Sequence, residues 1–441
     1  MKGIAPAGLA GLAALAASPA WAAAATALAF GACDSGESTA PHPTDQLDFP
    51  VSVTADPSGE IVWVVSGNFD LRFRSSAVLA IDVATNTFLP DLAFEIGGFP
   101  GPLKLRANAA GRATSGYITS RAEDDLYMVT FPGDGVKPTS VECPGGEVSG
   151  GILSCPKSKA FKRATVETKD GSVEITIGAD PYGLEIVPSP APDLFGGDLL
   201  LTGAMGDGQL ATFELDDAGT PTLVGGSSLF AGLFSLVRNP VSGRVYATSK
   251  SANLVSVLDV APRFDAEKPN DVHTLEGLDP LNPWVSVAAT VQVPEPSSTD
   301  HARAIAVSRD GTRLYLAYRS PDSLVVLDIS DTASGGTRQR VTQKIPLDND
   351  PTDLAVVANP SGTGDLVYVS CFKANRVEIV DPESGEIVGG VHTGIGPSGL
   401  ALIDRPGVHR LYVSLFNDNA VGVIELDPAS PYYHTEIAEI R

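Results

Sequence analysis

The chain has 441 residues, a formal net charge of −23 and 43% hydrophobic residues. Nucleic-acid binding needs a basic surface, so this acidic balance and the lack of a Lys/Arg cluster in the sequence exclude nucleic acid as an expected partner. The hydrophobic fraction is sufficient for a packed core, and 45 Gly and 34 Pro residues suit a fold with many turns.

The chain begins with features of an export signal. Residues 1–32 are mainly Ala, Gly and Leu, with one Lys next to Met1. The stretch is long enough to span a membrane, but its position and small residues are more typical of a signal peptide. Two processing sites compete. Ala20-Trp21-Ala22 suits ordinary cleavage, whereas Phe30-Gly31-Ala32-Cys33 resembles a bacterial lipobox.

We favour the lipobox because Cys33 begins a polar tract, residues 33–46, that is typical of a flexible tether. Acyl chains on Cys33 would anchor an otherwise soluble domain to a membrane. The sequence therefore predicts a lipoprotein of a bacterial cell envelope, in the periplasm or at the outer membrane. Plain secretion without an anchor is the alternative.

From residue 47 onward the sequence predicts only short strands. Runs rich in Val, Ile, Leu and Tyr stop at turn formers such as Asp56-Pro57-Ser58-Gly59. None is long enough for a globular helix. The predicted groups of strands begin near residues 51, 103, 182, 234, 302, 353 and 399.

The last two groups repeat one pattern, in which Tyr368 and Tyr412 lie 44 residues apart. A period of about 40 to 50 residues with three or four strands per unit is typical of a propeller blade. A single such sheet cannot bury both of its faces, so the units pack radially and close into a ring.

The repeat resembles that of the Tyr-Val-Thr-Asn (YVTN) repeat propellers, a bacterial family. Cys371 and Leu415 stand where that family usually has Asn. The matching residues are Tyr368, Val369, Ser370, Asn375, Val377, Ile379 and Asp381, and again Tyr412, Val413, Ser414, Asn419, Val421, Val423 and Ile424. The resemblance implies an all-β, seven-bladed β-propeller with four-stranded antiparallel blades around a central channel. We expect it to form one domain over residues 47–441 and to be a monomer.

Two segments interrupt the repeat. An insertion at 138–172 carries Cys143 and Cys155, which in an exported protein are expected to form a disulfide. A metal site is the alternative, but neither a His nor a second Cys pair accompanies them. The second segment is a Pro-rich loop at 262–296, expected on one rim of the ring and over the mouth of the channel. Cys371 is then left as a thiol, and we expect it to be buried and inert.

The sequence contains no haem, zinc-protease, nucleophile-elbow or phosphate-loop motif. The best candidate site is the channel mouth, where residues preceding the innermost strands would converge. Carboxylates of Asp180, Asp300 and Asp350 could hold calcium or magnesium there. Equally, an Asp before Pro is a good turn starter, and that interpretation stays open.

These observations predict a binding scaffold that takes a protein or small-molecule ligand at the propeller rim. The alternative is a lactonase-like hydrolase, which the resemblance permits, using a cation or the Asp300, His301 and Arg303 cluster. A quinoprotein dehydrogenase ranks third because no cofactor motif supports it.

Overall fold

The computed structural model describes residues 38–156, 159–265, 274–294, 302–331 and 338–441. The predicted signal peptide, Cys33, Asp300 and His301 lie outside these residues. Within them the regular secondary structure is almost entirely β-strand, with one short α-helix and short 3-10 turns at Pro90–Leu92, Leu275–Gly277 and Phe372–Ala374. None of the described helices has the length and hydropathy needed to cross a bilayer.

The N-terminal third forms two sheets, an insertion and a hairpin. The first sheet starts with β1 (Pro50–Ala55), β2 (Ile61–Ser66), β3 (Ser76–Asp82), β4 (Thr87–Phe88) and β5 (Phe94–Ile96). The second consists of β6 (Lys104–Ala107), β7 (Ala113–Ser120) and β8 (Asp125–Thr130). The insertion contains β9 (Glu147–Ser149), β10 (Ile152–Ser154) and α1 (Lys159–Lys162), and the hairpin is β11 (Arg163–Thr168) with β12 (Gly171–Thr176).

Five antiparallel four-stranded sheets follow, each with its strands in sequence order. The third sheet is β13 (Pro181–Val187), β14 (Leu199–Ala204), β15 (Gln209–Leu215) and β16 (Pro221–Ser228). The fourth is β17 (Leu233–Arg238), β18 (Val245–Ser249), β19 (Leu254–Val260) and β20 (Val285–Gln292). The fifth is β21 (Ala302–Val307), β22 (Arg313–Tyr318), β23 (Ser323–Asp328) and β24 (Arg340–Pro346).

The last two sheets contain the repeat found in the sequence. They are β25 (Pro351–Ala358), β26 (Asp365–Cys371), β27 (Arg376–Asp381) and β28 (Glu386–His392), then β29 (Pro397–Arg405), β30 (Val408–Leu415), β31 (Ala420–Glu425) and β32 (Glu436–Ile440). The first strands of neighbouring sheets pack side by side, and β29 packs against β1. The last sheet therefore contacts the first, and the fold is an all-β β-propeller, as predicted.

The predicted count of seven four-stranded blades was wrong. Six sheets of the described chain have four or more strands, whereas β6–β8 has only three. The fourth strand is missing because the chain leaves β8 for the insertion at 138–172. There β10 pairs in parallel with β5 of the first sheet, and β9 pairs with β10. The insertion thus extends the first sheet to seven strands.

The disulfide predicted between Cys143 and Cys155 is present, with Cα atoms 5.7 Å apart. Both cysteines pack in the apolar cluster of the first two sheets, together with Trp63 and Phe131. The bridge therefore ties the insertion to the propeller core. Cys371 is a buried free thiol, and burial raises its pKa well above the ordinary value.

Buried aromatic side chains on the second strand of a sheet fill the space between sheets. Tyr117, Tyr246, Tyr315, Tyr368 and Tyr412 occupy this position, and each is at most 1% exposed. Their rings supply large apolar area, while a buried phenol needs a hydrogen-bond partner. For four of them that partner lies on the following sheet or the chain beside it: Gly219 O for Tyr117, Asp365 Oδ2 for Tyr315, His434 Nε2 for Tyr368 and Asn86 Oδ1 for Tyr412.

Ring closure gives a testable prediction at Gly399, where the last sheet meets the first. A Cβ at this position would lie 2.8 Å from Ser52 Cα and 2.9 Å from Val53 N. We expect Gly399→Ala to destabilise the fold by about 1–3 kcal/mol, because backbone atoms must move to admit the methyl group. Chemical denaturation measures this change.

The matched control is Gly362→Ala, where a Cβ would meet nothing within 4 Å. Its free energy of unfolding should change by less than about 0.5 kcal/mol. Equal effects of the two substitutions would contradict the closure described above.

Candidate functional site at the channel mouth

The innermost strands carry an irregularity where they begin. In β1, β13, β17, β21, β25 and β29 the pairing register with the second strand shifts at or beside the second residue. Such a bulge bends the strand and re-aims a side chain. The second residues all line one cavity of about 460 Å³ at the channel mouth: Val51, Tyr182, Phe234, Arg303, Thr352 and Ser398.

A second set of side chains comes from the residue directly after the second strand of a sheet. These strands end at the mouth, so the first residue of each following loop reaches the same cavity. The residues are Arg121 after β7, Lys250 after β18, Arg319 after β22, Phe372 after β26 and Phe416 after β30. The fourth to seventh sheets thus contribute both positions to the site, and each of the first three contributes one.

The cavity is locally basic although the whole chain is strongly acidic. Four cationic side chains line it, against the two carboxylates of Asp350 and Asp353; the cations are Arg121, Lys250, Arg303 and Arg319. An excess of positive charge in a concave, partly desolvated site attracts anions.

Two of the predicted carboxylates serve to hold these cations. Asp180 accepts hydrogen bonds from Arg121 Nε at 2.5 Å and Nη2 at 3.2 Å. Asp350 forms an ion pair with Arg319 and another with Lys373. Both aspartates have positive φ, 59° and 69°, and both precede a proline that begins an innermost strand. They act as turn formers, and their side chains position arginines.

An aromatic pair forms one wall. Tyr182 and Phe234 stack with ring centroids 4.3 Å apart, and the Arg303 guanidinium lies 5.4 Å from the centroid of Phe234. Burial, reinforced by the nearby Asp353 carboxylate, raises the pKa of Tyr182 to about 12. The Tyr182 hydroxyl therefore stays protonated at neutral pH. A flat apolar surface thus lies directly beside a cation.

Asp353 differs from the other carboxylates because backbone amides hold it. Its two oxygens accept hydrogen bonds from Leu354 N at 2.9 Å and Leu400 N at 2.8 Å. Burial raises its pKa to about 6, and these two bonds only partly oppose the shift. It can therefore gain or lose a proton near neutral pH.

The structure thus brings together Arg303, Asp350 and, through Arg121, Asp180. Asp300 and His301 lie outside the described residues. Among the residues that are described, no three His, Cys, Asp or Glu side chains form a group suited to a metal ion. Calcium or magnesium at this site stays a prediction.

In its described part, the Pro-rich loop predicted at 262–296 does not lie over the channel mouth. It contains β20, and its described part before that strand leaves the far end of β19. Because β19 starts at the mouth, this part lies on the opposite face of the ring.

Sequence reasoning missed Arg121, Lys250 and Arg319. The signal available was their common position, one residue beyond a strand that contains the buried tyrosine or its equivalent. In the two closely matching repeats this position holds Phe372 and Phe416, so the repeat pattern does not predict a cation there.

No family model and no curated protein matches the sequence. Among solved structures, hydrazine synthase of Kuenenia stuttgartiensis is similar over 90% of this chain and 99% of that chain, with a TM-score of 0.54 and 15% identity. A candidate 6-phosphogluconolactonase of Bacteroides fragilis is similar over 79% of this chain and 86% of its own, with a TM-score of 0.53 and 14% identity. At these identities the likeness shows the propeller fold alone.

Proposed function

We propose that this protein is a binding module of the bacterial cell envelope whose channel mouth takes a small anionic ligand with an apolar part. The observation that carries the proposal is the convergence of four cationic side chains and a stacked aromatic pair in one cavity of about 460 Å³. Ligand sites are typically concave and largely apolar, with a few well-placed polar groups. The volume lies within the usual range for small molecules.

The arrangement suits a ligand with two unlike ends. Arginine presents a planar fork of donors that matches carboxylate, sulfonate or phosphate oxygens. Arg121 and Arg319 are already fixed by Asp180 and Asp350, so little side-chain entropy remains to be lost on binding. The Tyr182–Phe234 face would pack against the apolar part.

We predict that Arg303→Met weakens binding of the aromatic anion anilinonaphthalene sulfonate roughly 10- to 100-fold, because one charge-assisted contact is worth about 1.5–3 kcal/mol. Fluorescence titration measures the dissociation constant. The control is Arg313→Met, which removes the same charge from the opposite face, where Arg313 pairs with Glu383. Equal weakening by both variants would show that net charge, and not the cavity, determines binding.

The envelope location rests on the leader. We expect Cys33 to become the acylated N-terminal residue after removal of residues 1–32. Intact mass of the full chain expressed in a bacterium and extracted from its membranes should show the acyl adduct. A mature chain that begins elsewhere would remove the anchor from the proposal and leave the cavity argument untouched.

A protein partner at the rim remains a prediction from the sequence.

A lactonase-like hydrolase is the second candidate, and Asp353 favours it. A carboxyl with a pKa of about 6 in a ligand-sized cavity is suited to general-base catalysis near neutral pH. The likeness to the candidate 6-phosphogluconolactonase gives the substrate to try, a phosphorylated sugar lactone.

If the protein is a hydrolase, turnover of 6-phosphogluconolactone should rise with pH through about 6, as Asp353 loses its proton and becomes a base. Asp353→Asn should abolish the enzymatic rate above spontaneous hydrolysis. A wild-type rate no faster than the buffer rate at pH 5 to 7 would leave only the binding function.

A further inference from the structure

An apolar loop projects from the face of the ring that carries the channel mouth. It joins β2 to β3, and within it Phe69 is 39% exposed and Leu71 is 68% exposed. The Asn68 side chain fixes the loop, since it donates to Phe73 O at 2.8 Å and accepts from Phe73 N at 3.0 Å. Leu71 has a φ of 56°, which is uncommon for a leucine. The loop therefore presents Leu71 to the surroundings in a defined position.

Aromatic side chains continue from this loop into the cavity. Phe69 lies 5.2 Å from Phe99 and 5.3 Å from Phe416 between ring centroids, and Phe416 lies 5.9 Å from Phe372. Phe69, Phe372 and Phe416 also line the cavity. We call Phe69, Phe99, Phe372 and Phe416 the aromatic ribbon. It forms an apolar path from the exposed Leu71 to the cationic site.

The N-terminal segment is attached beside the same loop. Ser38 Oγ donates to Arg72 O at 2.7 Å, and Arg74 N donates to Ala40 O at 2.8 Å. His42 is buried and packs on Phe73 with ring centroids 4.6 Å apart. Residues 38–46 of the predicted 33–46 tether thus lie against the propeller, close to the mouth.

This attachment limits how the ring can meet a membrane. From Cys33 to Ser38 the chain spans five residues, which reach at most about 18 Å when fully extended. The six residues of β1 alone span about 20 Å from the mouth to the opposite face. With acyl chains on Cys33, the apolar loop lies well within reach of the bilayer, whereas the opposite face lies at the limit of a fully extended connection.

We propose that the channel-mouth face rests on the membrane, with Leu71 and Phe69 inserted at the boundary between headgroups and acyl chains. The inference rests on the proposed lipid anchor and extends it to an orientation. Arg72, 60% exposed on its side chain, lies next to Leu71 and pairs with Asp70 at 2.9 Å, so the loop does not present an unpaired carboxylate to the headgroups. The cavity then opens toward the bilayer, so its ligand is an anionic amphiphile whose apolar part follows the aromatic ribbon.

The test adds one tryptophan at a time to the acylated full chain. Each variant is reconstituted in phosphatidylethanolamine–phosphatidylglycerol vesicles with brominated acyl chains. Trp63 and Trp284 are both 0% exposed and provide a constant background. Leu71→Trp and Ile395→Trp place probes on the mouth face, where Ile395 is 50% exposed. Val241→Trp is the control on the opposite face, in the turn between β17 and β18, where Val241 is 71% exposed.

A residue buried roughly 5–10 Å into the boundary lies near the bromines, so the added emission at position 71 should fall roughly two-fold, with a smaller fall at 395. Emission from position 241 should not change. Equal quenching at 71 and 241, quenching at 241 alone, or quenching at neither position in acylated protein would overturn the orientation. Each variant is first shown to unfold at the wild-type temperature.

The mass of the reconstituted protein separates this inference from the proposed function. If Cys33 carries no acyl chain, the anchor fails and the orientation fails with it. If the acyl chain is present but position 71 is not quenched, only the orientation fails. Binding of anilinonaphthalene sulfonate to the unacylated Cys33→Ser variant, in buffer without vesicles or detergent, reports on the cavity independently of both outcomes.

Discussion

The ring depends on a repeated contact, in which a tyrosine is buried between one sheet and the next. Its aromatic body fills the wedge-shaped space between two sheets that diverge from the channel, and the apolar clusters that contain Tyr368 and Tyr412 include residues of the following sheet. Its hydroxyl pairs with a polar atom of the following sheet or the chain beside it in Tyr117, Tyr315, Tyr368 and Tyr412. In Tyr412 this acceptor is Asn86 of the first sheet, at 3.0 Å. One side chain thus fills the space between the last and first sheets and also forms a directional hydrogen bond across it.

Closure in turn determines what the mouth can contain. Because each four-stranded sheet runs antiparallel from the channel outward, the start of its first strand and the end of its second always meet at the same face. A bulge at the first of these positions and a loop residue at the second send side chains from different sheets toward one axis. Arg303 and Arg319 both line the cavity for this reason, although they lie sixteen residues apart in the chain. The side chains at the mouth can therefore be substituted without changing the buried tyrosines that pack between the sheets.

The fold could be predicted from sequence because its signals are local and repeated. The strand runs, the turns and the 44-residue period between Tyr368 and Tyr412 all follow from short-range patterns. The disulfide was predictable from the spacing of Cys143 and Cys155 together with the export signal inferred from the sequence. Blade number was not, because nothing in the sequence around β8 shows that the next strands will pair with β5 and not with β8. Strand pairing is a long-range choice between sheet edges that short-range patterns do not distinguish.

A residue of the site was predictable only where a separate local sequence signal pointed to it. Asp180 and Asp350 were visible because Asp-Pro is a turn signal, and the structure shows that they hold Arg121 and Arg319. Those arginines carry no motif of their own, since a charge after a strand is ordinary in any loop. Their significance appears only when sheets that are distant in sequence bring them to one cavity.

Asp353 distinguishes the two candidate functions on physical grounds. Its pKa of about 6 means that the carboxyl is largely ionised at pH 7 and largely neutral at pH 5. An ionised Asp353 opposes the cations around it and weakens the attraction for an anion, so a binding protein gains affinity as the pH falls through 6. A general base needs the opposite, because only the ionised carboxylate can accept a proton. Since Leu354 and Leu400 donate their amides to this group in either case, the scaffold is compatible with both roles, and the sign of the pH dependence tells them apart.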